Sequence, residues 1–216
     1  MTITFGCVKF SVKNRYVTAY VEDIYEIIDI QSQEENCMIL LVVDTQKGIM
    51  DNRLYEFEKV RGNIKLLISE ARKNNVEVVF VRHDDGPGTG FSKGDDDFEI
   101  FPEFEPLEGE KVFDKTVNSA LHKMTGLADY LDGKGIKTIM IAGLQTDFCI
   151  DATIKSGFDH GYKMIIPEYS NSTFDNRFFN KETAYKYFNE LIWKDRYGET
   201  VTIEKAVEII RQYSET

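Results

Sequence analysis

Three residues of this 216-residue chain stand where side chains of reactive type end or follow apolar runs. Asp44 closes L-L-V-V-D-T-Q, Lys115 follows V-F-D, and Cys149 sits in A-G-L-Q-T-D-F-C-I-D-A-T. A thiol attacks as its thiolate, and with a free pKa of about 8.5 it is mostly protonated at neutral pH. A neighbouring carboxylate can take that proton, and an ammonium beside the sulfur pulls its pKa down. The cysteine is thus a candidate nucleophile, with the acid and the amine as candidates to act beside it. Each residue taken alone also has a structural reading. A lone Cys is commonly a small buried hydrophobe, a strand-end Asp caps turns, and a Lys after a strand is usually solvated.

The elements that would position these side chains are legible as apolar runs. Met38–Val43, Val76–Val81, Thr138–Ala142 and Tyr162–Ile166 are nearly continuous in apolar residues, which suits strands buried on both faces. Weaker strands are predicted at Lys111–Asp114 and Thr200–Ile203. Helical spacing of apolar residues predicts helices over Leu54–Asn74, Asn118–Gly133 and Glu204–Tyr213. Strand and helix alternate, so the expected fold class is α/β: a three-layer α/β/α sandwich around a mostly parallel, doubly wound sheet of six strands. Reactive groups in such a sheet gather beyond the carboxyl ends of the strands. The Cys149 segment reads strand, turn, helix, with Thr146 or Asp147 as N-cap. Cys149 then falls in the first helical turn, where the dipole favours a thiolate.

The ordered set of Asp44 in VVDTQ, Phe113-Asp-Lys-Thr-Val-Asn-Ser-Ala120 and the G-L-Q-T-D-F-C turn resembles the isochorismatase-like cysteine hydrolases, which include nicotinamidase and N-carbamoylsarcosine amidase. The resemblance runs strongly from about Met38 to Phe174 and more loosely beyond. Leu121 departs from it, since many relatives place Phe there. The resemblance implies a catalytic triad in which Asp44 shuttles the proton, Cys149 attacks and Lys115 stabilises charge near both. It also implies a cis Leu144–Gln145 peptide that turns the backbone N–H groups of Gln145 and Cys149 onto an oxyanion. The implied activity is hydrolysis of a small-molecule amide or carbamoyl C–N bond through a thioester. Two alternatives stand beside it: vinyl-ether hydrolysis, whose nucleophile position in the family is not cysteine, and a non-catalytic binding or scaffold role.

Cofactor and metal are expected to be absent. Nicotinamidases carry an Asp and several His residues that bind a divalent ion, whereas here residues 45–82 contain no histidine. His83, His122 and His160 are scattered, without H-x-H or H-x-x-H spacing. His83 follows the second strand at the same sheet edge as the triad. With Gln46, Phe91 and Phe148 it is a candidate to line the pocket for a small-molecule substrate. The glycine-rich segment Asp84–Gly109 is long enough to be functional. Its Asp95–Asp97 run reads as a solvated loop without calcium-loop spacing, and Ser170–Phe174 as a turn that reaches towards the crevice.

With 26 Lys and Arg against 37 Asp and Glu, the net charge of −11 opposes binding to nucleic acid or an anionic membrane. No stretch approaches the ~18 apolar residues that cross a bilayer. Cys7, Cys37 and Cys149 form no CxxC pair, which fits a reducing, cytoplasmic setting. The chain divides into residues 1–37, an extension of uncertain role with strand-like alternation and then helix-like character at Glu22–Ile30, and a hydrolase domain at 38–216. Members of the resembling family pair beside their active sites, so a homo-oligomer is expected.

Overall fold

The computed structural model describes residues 37–213 and, ahead of them, the backbone of four short strands. The chain forms two compact units, Met1–Asn36 and Cys37–Thr216. In the first, β1 (Thr2–Phe5), β2 (Val8–Lys13), β3 (Tyr16–Val21) and β4 (Ile24–Glu26) pair antiparallel in chain order. Ile24–Glu26 is thus strand where helical character was expected, its register fixed by Val21↔Ile24 pairing. The rest of Glu22–Ile30 lies outside the described residues, as does Cys7.

The second unit is a parallel sheet covered on both faces. Its elements in order are β5 (Met38–Val43), α1 (Phe57–Lys73), β6 (Glu77–His83), β7 (Lys111–Lys115), α2 (Leu127–Gly133), β8 (Thr138–Leu144), α3 (Asp151–Asp159), β9 (Lys163–Pro167), β10 (Asn171–Ser172), α4 (Lys181–Lys186), β11 (Glu199–Val201) and α5 (Ile203–Tyr213). Strand order is β11-β9-β8-β5-β6-β7, and β10 adds a seventh short strand against the far end of β8. Every pairing is parallel. The order reverses on either side of β5, and at such a switch point neighbouring loops diverge and leave a crevice.

Alternation along β5 divides the core. Leu40 and Val42 pack with Val60, Ile64 and Leu67 of α1 and with Ala206 and Ile210 of α5. Ile39 and Leu41 pack with Leu127 and Leu131 of α2 and Ile154 of α3. All residues of β5 and β8 are buried, which explains why both strands lack polar alternation. Burying a Leu or Ile side chain is worth about 1.5–3 kcal/mol, so these two strands anchor the unit.

The six strands of the expected sheet stand in one path, with β10 a short seventh beside β8. Two expectations change. The helix expected over Asn118–Gly133 begins only at Leu127, because Ala120 N–H donates to Thr153 Oγ1 across to α3 at 2.9 Å instead of entering a helical ladder. A helix at Lys181–Lys186, prolonged by a π-helical turn at Tyr187–Ile192, stands where none was read. Its buried side includes the polar Asn189, which breaks the apolar stripe.

Candidate active site

The carboxyl ends of β5, β6, β7 and β8 bring the reactive side chains together. Asp44, the residue after β5, has φ 52°, a left-handed conformation that Asp tolerates better than most residues, and its N–H donates to Val81 O at 2.8 Å. Lys115 ends β7, and the β6–β7 register sets it opposite His83. Cys149 lies in a π-helical turn, Thr146–Ile150, that runs directly into α3.

Lys115 Nζ is the hub. It donates to Asp44 Oδ2 at 2.7 Å and to Cys149 Sγ at 3.2 Å, and lies 3.0 Å from His83 Nδ1. Lys115, Asp44 and Cys149 are all buried. An ammonium has three N–H donors and no lone pair, so three acceptors complete its hydrogen bonding. One donor atom from each of Asp44, His83 and Cys149 falls within 4.8 Å of the others, a set with metal-ligand chemistry. The ammonium already stands among all three, and a divalent ion there would face a buried like charge, so these residues do not fit a metal.

Electrostatics departs from expectation at the thiol. Burial pushes Cys149 up to about 12, the Asp44 carboxylate adds to the rise, and Lys115 offsets only part of it. Burial thus favours the thiol form, against the thiolate expected from a nearby ammonium and helix dipole. Burial also raises Asp44 above the usual carboxylate range, against the pull of Lys115. Asp44 Oδ1 is buried and has no hydrogen-bond partner, which leaves one carboxylate oxygen open while Lys115 holds the other.

A pocket of about 370 Å³ opens over the sulfur, lined by Asp44, Ile49, His83, Asp85, Phe91, Asn118, Gln145, Phe148 and Cys149. The Leu144–Gln145 peptide is cis. His83, Phe91 and Phe148 thus line the pocket, and Gln46 does not. Gln46 is fully buried; its amide receives His83 N–H at 2.7 Å and donates to the His83 and Phe98 carbonyls at 2.9 Å each, clamping the end of β6 to the long loop. Ile49, Asp85 and Asn118 were missed, although Asp85 lies two residues beyond His83 and Asn118 lies inside the motif that carries Lys115.

Neighbouring segments fix the nucleophile turn sideways. Neither Thr146 nor Asp147 caps a helix. Thr146 Oγ1 donates to Asn171 Oδ1 at 2.7 Å, and Asp147 accepts from Thr173 Oγ1 at 2.5 Å. The Ser170–Phe174 segment, read as a turn, includes β10 and holds this turn from the side. The Asp84–Gly109 loop is packed too: Phe98 and Phe104 are buried, and its backbone pairs with the turn after β5 through Lys47 N–H to Glu99 O at 2.9 Å and Phe101 N–H to Thr45 O at 2.8 Å. Asp96 and Asp97 are exposed, with Asp96 paired to Lys47.

Comparison with known proteins adds the last observations. A family model described as the isochorismatase domain matches residues 38–203. A secreted isochorismatase effector of Verticillium dahliae is 30% identical over 133 residues, 60% of this chain and 70% of that protein. A crystal structure of an isochorismatase family protein superposes with TM-score 0.71 at 28% identity, covering 77% of this chain and 99% of the other. N-carbamoylsarcosine amidase from Thermoplasma acidophilum superposes with TM-score 0.62 at 26% identity, covering 76% and 94%.

Proposed function

The chain belongs to the isochorismatase family, and from that premise we propose that it is a cysteine hydrolase that cleaves a small-molecule amide or carbamoyl C–N bond through a thioester on Cys149. The observation that carries this reading is the buried Lys115 ammonium donating at once to a carboxylate and a thiol that both line the pocket. The amidase among the similar structures supports the choice of bond.

The geometry supports the following sequence. Asp44 Oδ1 takes the Cys149 proton as sulfur attacks the substrate carbonyl carbon, and the carbonyl electron pair moves onto oxygen. Backbone N–H groups of Gln145 and Cys149 would receive that oxyanion. The tetrahedral adduct collapses, the C–N bond breaks, and Asp44 returns its proton to the leaving nitrogen. A water then gives a proton to Asp44 and adds to the thioester; sulfur leaves and recovers its proton. Lys115 remains beside the sulfur and the carboxylate throughout, stabilising whichever carries charge. A raised Asp44 suits both directions of transfer, because a base with a pKa nearer to neutrality is also the better acid.

A panel of small amides and carbamoyl compounds assayed for ammonia or amine release, with Cys149→Ala as the blank, tests the reading. Release by the wild type alone supports it. Equal signals across the panel would leave a binding role as the better account.

A further inference from the structure

The pocket over Cys149 carries a charge that the triad does not balance. Asp44 and Lys115 offset each other at 2.7 Å. His83 adds no charge: Lys115 can only donate, so His83 Nδ1 accepts at 3.0 Å and the ring hydrogen sits on Nε2. Nε2 faces Asp85 Oδ1 at 3.1 Å, so the neutral ring donates to Asp85 and leaves its negative charge uncancelled. Asp85 N–H donates to Phe91 O at 3.0 Å, which fixes carboxylate and aromatic residue side by side on the rim. The other lining residues are Ile49, Asn118, Gln145 and Phe148, with Phe148 half exposed beside the nucleophile. No Lys or Arg is among the lining residues. A carboxylate with two aromatic rings and no opposing cation attracts positive charge and repels negative charge.

We propose that this pocket selects substrates bearing a cationic group, an amine or amidine near the scissile amide, and that Asp85 is the residue that selects them. The inference rests on reading the site as the amide-cleaving one. Two measurements separate the failure of either idea. The first needs no turnover. Cys149 is modified with methanethiosulfonates carrying a trimethylammonium or a sulfonate on the same ethyl arm, and the Cys149 peptide is followed by mass spectrometry. The rate ratio is divided by that of a small free thiol. The cationic reagent is expected to be favoured about fivefold, the scale of a partly exposed ion pair. Asp85→Asn, which keeps an oxygen acceptor for His83 but not the charge, should bring the ratio close to one. A ratio at or below one in the wild type, or a preference that survives Asp85→Asn, overturns the proposal. The second compares β-alaninamide, butanamide and succinamate, matched in length and differing in charge, for ammonia release. The order cation, neutral, anion is expected, and the reverse order also overturns the proposal. If none is cleaved while the reagent ratio holds, the charge selectivity stands and the hydrolase reading is what loses support.

Discussion

One side chain, Lys115, ties the site together, and its hydrogen bonds fix what substitutions there should do. Lys115→Met leaves the Asp44 carboxylate buried without a counter-charge, which should cost about 3–5 kcal/mol of stability as well as turnover. Adding Asp44→Asn should restore much of that stability and none of the activity, a contrast that denaturant midpoints and product release would read together. The resting thiol gives a second expectation. With Cys149 pushed up to about 12, thiolate absorbance in the ultraviolet, wild type minus Cys149→Ala, should be near zero at pH 7 and develop only in strong alkali. A thiolate signal at neutrality would contradict the base-assisted attack. Asp44 must be ionised to accept the thiol proton, and burial raises it, so kcat/KM should fall on acidification with a midpoint above the ordinary value of about 4. A midpoint at or below that value would remove Asp44 from the role.

The elements hold these side chains through close backbone approaches that tolerate little added volume. Gly143 of β8 has φ 127°, and a Cβ built there would lie 1.9 Å from Val43 O, where β5 and β8 pair ahead of the nucleophile turn. Gly143→Ala should therefore destabilise the fold by on the order of 3 kcal/mol or more, read as a lower unfolding midpoint. Gly48 differs: its added Cβ would meet Asp97 Cβ at 2.8 Å and the Phe91 ring at 3.0 Å, pushing the long loop outward while the core stays intact. Gly48→Ala should raise KM more than it lowers stability. The long strands were legible in sequence because burial on both faces leaves an unbroken apolar signature. β10 was not, since Asn171 and Ser172 are polar and owe their burial to partners far along the chain, such as Thr146 and Tyr55. Asp44 was legible as a strand-end residue and Cys149 through its place in a strand–turn–helix segment. The contact between Lys115 and His83 was not, because it depends on the β6–β7 register, which no local pattern encodes. Gln46 misled for the opposite reason: its position beside Asp44 suggested the pocket, while its amide meets the backbone needs of the segment behind.

At the scale of the molecule, the core described for the second unit draws, among the described residues, on positions from Cys37 to Tyr213. A chain beginning at Cys37 should fold cooperatively and keep the unfolding midpoint and the product release of the full chain, and a truncate that aggregates would assign the first unit a stabilising role. Among the described residues, no helix is long and apolar enough to cross a membrane. The burial of Lys115 has a use at this scale too. Its amine is sealed beneath four strand ends with all three hydrogens engaged, while lysines such as Lys65 and Lys163 stand in water. An amine-acylating reagent should mark those at once and pass over Lys115 in the native protein. The rate at which Lys115 becomes labelled would then count how often the centre of the molecule opens, a clock for unfolding built into the residue that organises the chemistry.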